Sequence, residues 1–412
     1  MLHLLLHLLF FISITPPPSL ASTTPQALLS PITKDSLTSL YTLSLNTSTS
    51  LISLLLDLSS PFSWLPCPPN PHPLLCNSSF CSTANSFPPP HCPHFPKPHN
   101  HPCICTVSPA NPLTGECPFA PFFHPIILTN ISLFTITNVH KPTTHSLTFP
   151  NFLSVCSPKD ITGVAGLARS PTSLSSQFSS SLSIKNQFAL CLPSSSIASG
   201  IAFFGAEPFH LLPPRSPELT TMLSYTPLLQ HPMNPKDYYV DLHAIAVNGV
   251  TVQFLKRVLE FDPLGHGGVK LSTTKPYTTM RSHIYRQFIR AFAKATKSIR
   301  RARKVAPFEL CFNVTALGVS RVGFGVPKID LMLAGGKNWT VFGANSVKKV
   351  GRETACLAFI DGGPKAEQAV VIGGFQMEDN FLLFDLDKKR LGFSSSLLFS
   401  AISCGNFNFT SV

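Results

Sequence analysis

Residues 54–64 constrain the fold of this chain more than any other stretch. They read Leu-Leu-Leu-Asp-Leu-Ser-Ser-Pro-Phe-Ser-Trp, an apolar strand that carries one carboxylate, Asp57, into a polar turn and then resumes with bulky residues. A carboxylate between two leucines must meet hydrogen-bonding groups, because an unpaired charge is costly to bury. The pattern predicts a strand end at which backbone amides or a hydroxyl around Ser59 bond to Asp57. An acid that only caps a turn is the simpler interpretation of the residue type alone.

Residues 267–277 have a related layout in the second half of the chain. They read Gly-Gly-Val-Lys-Leu-Ser-Thr-Thr-Lys-Pro-Tyr, and Ser272 stands where the first stretch has Asp57. Two facing carboxylates can act as acid and base because they share one proton and their pKa values split. A serine hydroxyl cannot share a proton with Asp57 in that way at neutral pH.

Both stretches resemble the active-site loops of the pepsin-like aspartic proteases, with Leu58-Ser59 where that family has Thr/Ser-Gly. The resemblance implies that Asp57 is the relic of the first catalytic Asp and that Ser272 replaces the second. Residues 370–393, which contain Gly-Gly, Glu-Asp-Asn and Arg-Leu-Gly-Phe, and residues 404–411 are similar to plant extracellular homologues of these proteases. Those homologues form the family of xylanase inhibitors, xyloglucanase inhibitors and the extracellular dermal glycoprotein. The resemblance covers nearly all of the mature chain. It implies an all-β, bilobal, pepsin-like double β-barrel with a few short helices.

The length of 412 residues suits two domains. Residues 1–22 combine an apolar core with small residues, which predicts a cleaved signal peptide; the apolar run is short for a membrane anchor. We expect an N-terminal lobe at 23–205, a crossing at 206–222 and a C-terminal lobe at 223–412. A Cys- and Pro-rich insert at 67–117 is predicted to lack regular strands and helices. An amphipathic helix is predicted within 278–297, because apolar residues there recur at helical spacing: Ile284, Phe288, Ile289, Phe292 and Ala295.

Twelve cysteines in a chain with a predicted leader favour disulfides over zinc, and neither a metal nor a cofactor is expected. The family resemblance implies the pairs Cys67–Cys156, Cys191–Cys404 and Cys311–Cys356. It leaves six cysteines unassigned: Cys76, Cys81, Cys92, Cys103, Cys105 and Cys117. Six glycosylation sequons agree with secretion to the extracellular space: Asn46, Asn77, Asn130, Asn313, Asn338 and Asn408.

Lys and Arg outnumber Asp and Glu by 31 to 19, and the net charge of +12 favours acidic partners such as wall polysaccharide. A secreted chain is not expected to bind nucleic acid. The densest basic run, residues 294–304, is most simply interpreted as a solvated helix end and loop.

The family resemblance implies that the protein blocks microbial glycoside hydrolases, in a plant's defence of its cell wall, by directing basic side chains at the paired carboxylates of the enzyme. One corresponding loop carries Arg321, for which a solvated loop arginine is the alternative interpretation. The other reads Phe399-Ser400-Ala401-Ile402-Ser403 and has no Arg or His. A working aspartic endopeptidase is the alternative, with Asp262 as the nearest candidate for a second acid. A proteolytic flap would need a tyrosine, and the chain has none between Tyr41 and Tyr225. A wall-bound, receptor-binding glycoprotein is a third hypothesis.

Overall fold

The computed structural model describes residues 27–47, 50–85, 103–107, 124–136, 144–157, 163–211, 217–407 and 409. The predicted signal peptide, Cys92, Cys117, Asn408 and most of the Cys- and Pro-rich insert lie outside these residues. The described part is built mainly of strands arranged in two lobes, which confirms the expected all-β, bilobal fold. The proposed boundaries of the lobes and of the crossing stay predictions.

The strands of the first half follow one another in this order: β1 (Ala27–Lys34), β2 (Tyr41–Thr47), β3 (Leu51–Asp57), β4 (Trp64–Pro66), β5 (Thr106–Val107), β6 (His124–Ile136), β7 (Thr144–Ser157), β8 (Val164–Gly166), β9 (Gln187–Cys191) and β10 (Gly200–Gly205). Two helices accompany them, α1 (Ser79–Asn85) and α2 (Leu174–Leu182).

The strands of the second half are β11 (Ser224–Leu229), β12 (Tyr239–Val240), β13 (Leu242–Val247), β14 (Val250–Thr251), β15 (Val269–Leu271), β16 (Thr278–Met280), β17 (Cys311–Asn313), β18 (Val319–Ser320), β19 (Gly323–Phe324), β20 (Ile329–Leu333), β21 (Lys337–Val341), β22 (Val347–Lys349), β23 (Thr354–Leu357), β24 (Phe359–Asp361), β25 (Val370–Ile372), β26 (Phe381–Asp385) and β27 (Arg390–Phe393). The helices are α3 (Ser282–Ala295), α4 (Gly343–Ser346) and α5 (Gly374–Met377).

An antiparallel sheet joins the lobes in the order β1-β10-β9-β26-β27-β11. At its centre β9 of the first half pairs with β26 of the second, and the ring of Phe188 stacks on that of Phe384 at 4.6 Å. Stacked aromatic rings bury a large apolar area where the lobes meet. The halves are therefore held together by a continuous core as well as by backbone pairing.

Each lobe repeats one arrangement of strands around its predicted site loop. In the first half β3 lies parallel to β8, and β4 runs antiparallel to β8 and parallel to β7. In the second half β15 lies parallel to β25, and β16 runs antiparallel to β25 and parallel to β24. This pseudo-symmetry places the end of β3 and the end of β15 in equivalent positions.

Helix α3 confirms the predicted amphipathic helix, with its bounds at Ser282 and Ala295. Ile284, Phe288 and Phe292 are buried and Ile289 is partly buried, whereas Ala295, the last residue of the helix, is exposed. The expectation that the insert at 67–117 lacks regular strands and helices is wrong, since residues 79–85 form α1 and Thr106–Val107 form β5, which pairs with β6. No proline lies between positions 74 and 86, so the backbone N–H groups needed for a short helix are all present.

None of the helices in the described residues is long and apolar enough to cross a membrane.

Candidate functional site

Asp57 ends strand β3 at the floor of the first site loop. The strand pairing places it opposite Gly166, and the amide of Leu167 donates to its backbone oxygen at 2.9 Å. Its carboxylate accepts a hydrogen bond from the amide of Ser59, with an N–Oδ1 distance of 2.8 Å. The side chain is almost wholly buried, since only 4% of the residue is exposed. The sequence pattern predicted this local geometry because a buried acid needs a nearby donor.

Ser272 occupies the equivalent place at the end of β15. Its amide donates to the oxygen of Ile372 at 3.0 Å, and its hydroxyl lies 3.2 Å from that of Thr274. Like Asp57, it is buried. The second site loop therefore presents a hydroxyl where the first presents a carboxylate.

Two glycines hold these loops in matching shapes. A Cβ on Gly166 would lie 2.2 Å from the backbone oxygen of Phe62, and one on Gly373 would lie 2.4 Å from the backbone carbon of Tyr277. Both distances are far inside van der Waals contact, so each strand end can approach its loop only without a side chain. The structure thus keeps the backbone frame of a two-loop site although one of the two acids is missing.

The two loops contact each other through Thr273. Its hydroxyl donates to the backbone oxygen of Leu56 at 2.6 Å and accepts from the amide of Leu58 at 3.3 Å. Leu58 is the pseudo-symmetric counterpart of Thr273 and has no hydroxyl, so the reciprocal pair of bonds cannot form. The interface between the loops is hydrogen-bonded from one side only.

Charged neighbours adjust the acidity of Asp57. Burial raises the pKa of Asp57 to about 6; the amide of Ser59 and the ammonium of Lys270 oppose this rise, and the carboxylate of Asp237 adds to it. Lys270 and Asp237 form a largely buried ion pair with an Nζ–Oδ2 distance of 2.7 Å. Sequence reasoning missed this pair. An available signal was Lys270 itself, a lone charge between Val269 and Leu271 in a strand that otherwise mirrors β3.

The acid that the sequence offered as a substitute, Asp262, lies away from this arrangement in an exposed turn. Its carboxylate accepts from the amides of Leu264 and His266 and lies 3.1 Å from the His266 ring nitrogen. Asp262 therefore stabilises its own turn and does not face Asp57 as a second acid. The arrangement at Asp57 can hold a single buried proton near neutral pH, but it contains no equivalent second carboxylate with which to share it.

Arg321 and residues 399–401, predicted from separate stretches of sequence, lie together on the surface. Arg321 occupies the tip of the β18–β19 hairpin, and its guanidinium donates to the backbone oxygen of Phe399 at 3.3 Å. Gly323 allows the hairpin to pack closely, since a Cβ there would lie 2.1 Å from the amide nitrogen of Ala344. Arg321, Ser400 and Ala401 are exposed, and Phe399 is half exposed. We call the exposed surface of Arg321 and Phe399–Ala401 the arginine surface.

The disulfides tie these elements together. The structure pairs Cys67 with Cys156, Cys191 with Cys404 across the lobes, and Cys311 with Cys356, as the family resemblance implied. Two further bridges were not assigned from sequence: Cys76–Cys103 and Cys81–Cys105. The ten described cysteines are all paired, and no cluster of three or more metal-binding side chains occurs among the described residues.

Five of the predicted sequons lie within the described residues. Asn77, Asn130 and Asn338 are exposed, whereas Asn46 and Asn313 are partly buried. Asn46 pairs with neighbouring strands on both sides, opposite Leu51 in β3 and Ser132 in β6.

Comparison with known proteins gives a consistent result. The family model for the xylanase inhibitor N-terminal domain matches residues 40–206, and that for the xylanase inhibitor C-terminal domain matches residues 237–395. A rice relative named chitinase CLP is 39% identical, with 98% of this chain and 99% of the relative covered. A Nicotiana benthamiana relative named probable aspartic proteinase GIP2 is 36% identical, with 99% and 98% covered.

A solved structure repeats the fold. The crystal structure of the protein edgp superposes with a TM-score of 0.84 at 32% identity, covering 93% of this chain and 98% of the other. Sequence, backbone frame and both halves of the family model agree over the described lobes. The chain therefore belongs to the xylanase-inhibitor family of pepsin-like proteins.

Proposed function

We propose that this protein is a proteolytically inactive, pepsin-like inhibitor that binds secreted microbial glycoside hydrolases through the arginine surface. The observation that carries the proposal is the contact between Arg321 and Phe399, which brings two distant segments together at an exposed tip. Glycoside hydrolases hold two carboxylates at either side of the bond they cleave. A guanidinium can bond both oxygens of a carboxylate at once, and a cation inserted there blocks the cleft.

The chemistry of the surface fits such a partner. Arg321 makes no ion pair among the described residues, so its charge is available to an acidic cleft. Phe399, whose ring packs edge-on against Phe342 at 4.7 Å, is 50% exposed and offers an anchored apolar contact. Arg and aromatic residues dominate the binding energy of many protein interfaces. The Phe399–Ala401 segment thus supplies apolar contact beside the Arg321 cation.

The test is inhibition of a panel of xylanases and xyloglucan-specific endoglucanases by the purified protein. Arg321→Ala should weaken inhibition about tenfold or more, since a buried charged contact across an interface is worth at least that much. Arg352→Ala removes another exposed arginine and should leave inhibition unchanged. Absence of inhibition and binding at micromolar concentration would contradict the proposed function. Inhibition by Arg321→Ala equal to that of the parent would place the contact elsewhere.

An acid endopeptidase is the second candidate, favoured by Asp57, which remains buried with its pKa raised to about 6. The name of the Nicotiana relative points the same way for that protein. Cleavage of a denatured protein at acid pH, lost on Asp57→Asn, would establish this activity. We expect no cleavage, because Ser272, which has no carboxylate, occupies the position equivalent to Asp57.

Hydrolysis of chitin oligosaccharides should be assayed together with proteolysis, because the rice relative is named a chitinase.

We also propose that the protein is secreted to the plant cell wall. The paired cysteines and the sequons support an oxidising, glycosylating route. Among the described sequons, glycans should occupy Asn77, Asn130 and Asn338 because those side chains are exposed. Peptide mass analysis before and after deglycosylation of the protein purified from a plant host tests this. Unmodified asparagine at all three positions would contradict glycosylation of these sequons.

A further inference from the structure

Helix α3 presents a line of cations on the face opposite its core contacts. Arg286, Arg290 and Lys294 are exposed on this face, and Lys297 continues it in the turn after the helix. Residues four apart lie on one side of a helix, one turn above another. We call these four side chains the basic stripe. Three more exposed cations follow it in the chain: Arg300, Arg303 and Lys304.

The charge of the stripe is not compensated locally. No Asp or Glu occurs in residues 263–308, and none of the seven cations forms an ion pair among the described residues. The nearby Asp361 accepts bonds from the Ser282 hydroxyl and the Gly363 amide. Surface cations that remain unpaired keep a strong positive potential, which is available to an anion in solution.

Two other arginines in this region have structural roles, which sets them apart. Arg301 donates to the Thr296 hydroxyl and to the oxygen of Ala293. Arg281 donates to the backbone oxygens of Ala366 and Glu367. The stripe residues make no comparable contact among the described residues, so their side chains are free to bind a partner without loss of internal bonds.

The backbone that carries the stripe is anchored on the protein core. The opposite face of α3 buries Ile284, Phe288 and Phe292 in the core of the second lobe. With a rise of about 1.5 Å per residue, Arg286 and Lys294 lie about 12 Å apart along the helix axis. The helix fixes the order and spacing of the positions that carry these cations, which suits an extended polymer with regularly spaced anions, although the long side chains themselves are ordered on binding.

We infer that the basic stripe is a docking surface for a linear acidic polysaccharide whose successive sugars carry carboxylates, with polygalacturonate as the test ligand. Charge complementarity and the linear spacing carry the inference. Arg and Lys donate charge-assisted hydrogen bonds to such carboxylates. The stripe would hold the protein on the wall polymer, and this role is independent of the arginine surface and of any enzyme that it inhibits.

The experiment measures retention of the full, purified protein on immobilised polygalacturonate as the salt concentration rises. The stripe variant is Arg286→Gln, Arg290→Gln, Lys294→Gln and Lys297→Gln. The matched control is Lys337→Gln, Lys349→Gln, Arg352→Gln and Lys365→Gln, which lowers the net charge equally at other exposed cations. The stripe variant should bind about tenfold more weakly, with a flatter salt dependence, and the control should change by less than about twofold.

Several results would overturn the inference. Equal weakening of both variants would mean that net charge alone causes retention. If the parent protein does not bind polygalacturonate, the basic stripe is not a docking surface for it. Equal binding to fully methyl-esterified pectin would show that carboxylates are not recognised. Equal competition by a DNA oligonucleotide of the same charge would show a general polyanion site. Arg286→Lys with Arg290→Lys keeps the positive charges and should retain binding, as expected if the charge of the stripe holds the polymer. Enzyme inhibition should be unchanged in the stripe variant.

Discussion

Lys34 and Glu378 form a buried ion pair between the two lobes, with an Nζ–Oε1 distance of 2.5 Å. Their side chains are only 6% and 2% exposed. Tyr41 donates to the same carboxylate oxygen at 2.6 Å, and Lys34 also donates to the backbone oxygen of Ser194 at 3.1 Å. Burial raises the pKa of Glu378 to about 7, although Lys34 and Tyr41 oppose the rise.

Lys34→Met should strongly destabilise the fold at about pH 7.5, by about 3–5 kcal/mol, because it leaves a buried carboxylate without its cation. The loss should shrink at about pH 5, where Glu378 is protonated and neutral. Urea unfolding at the two pH values measures both. Lys185→Met breaks the exposed pair with Glu207 and should cost less than about 1 kcal/mol. Equal losses for the two variants, or a loss independent of pH, would contradict the assigned role of Lys34.

Asp57→Asn should reduce the dependence of stability on pH. The folded pKa of about 6 lies above the ordinary value of 3.8, so the folded state binds the proton more readily. Stability from this group is therefore fully present below about pH 4 and lost as pH rises through about 6, by up to about 3 kcal/mol. Unfolding free energies from about pH 4 to pH 8 should show a smaller change in the variant. The rise in the Glu378 pKa has the same sign, so part of the slope should remain.

A control for Asp57→Asn is Asp262→Asn, in an exposed turn. Loss of solvent around Asp262 raises its pKa, but hydrogen bonds from the amide and ring of His266 and from the amide of Leu264 outweigh this effect, so the pKa of Asp262 is lowered whereas that of Asp57 is raised. Its substitution should leave the stability gain between about pH 6 and pH 4 intact. If the parent protein instead loses stability as the pH falls from about 6 to about 4, carboxylates with lowered pKa values contribute more to the pH dependence than Asp57 does.

Thr273→Val should destabilise the contact between the site loops. It removes the donor to Leu56 and leaves the Leu58 amide without its acceptor, which should cost about 1–3 kcal/mol at a buried position. Thr273→Ser keeps the hydroxyl and should recover most of that stability. Chemical unfolding of both variants is the measurement. If serine proves as damaging as valine, the methyl packing of Thr273 matters more than its hydrogen bonds.

Ser272→Asp should not create a protease. The change restores a carboxylate at the end of β15, but Leu58 still lacks the hydroxyl that would mirror Thr273. A dyad needs its supporting hydrogen bonds as well as its acids. The buried charge should also lower stability at neutral pH by about 1–3 kcal/mol relative to Ser272→Asn. Acid cleavage of a denatured protein by the variant, absent after Asp57→Asn is added, would show instead that one substitution suffices.

Local patterns in the sequence were sufficient for the elements whose chemistry is local. The apolar run ending at Asp57 and the spacing of Ile284, Phe288 and Phe292 each follow from residues close together in the chain, whereas the equivalence of Ser272 with Asp57 followed from the family resemblance. The family resemblance added the overall fold and three of the disulfides. The short helix α1 was missed because the proline count was taken over the whole insert and not over positions 79–85.

Tertiary structure alone decided which distant groups meet. The pair Lys34–Glu378, the pair Lys270–Asp237 and the contact of Arg321 with Phe399 join residues from distant segments of the chain, and no periodicity in the sequence encodes such partners. The acidity of Asp57 was decided in the same way, since burial and the charges of Lys270 and Asp237 act through space. The sequence by itself determined where charges sit on strands and helices; the packing of the lobes determined which of them are buried, paired or left exposed.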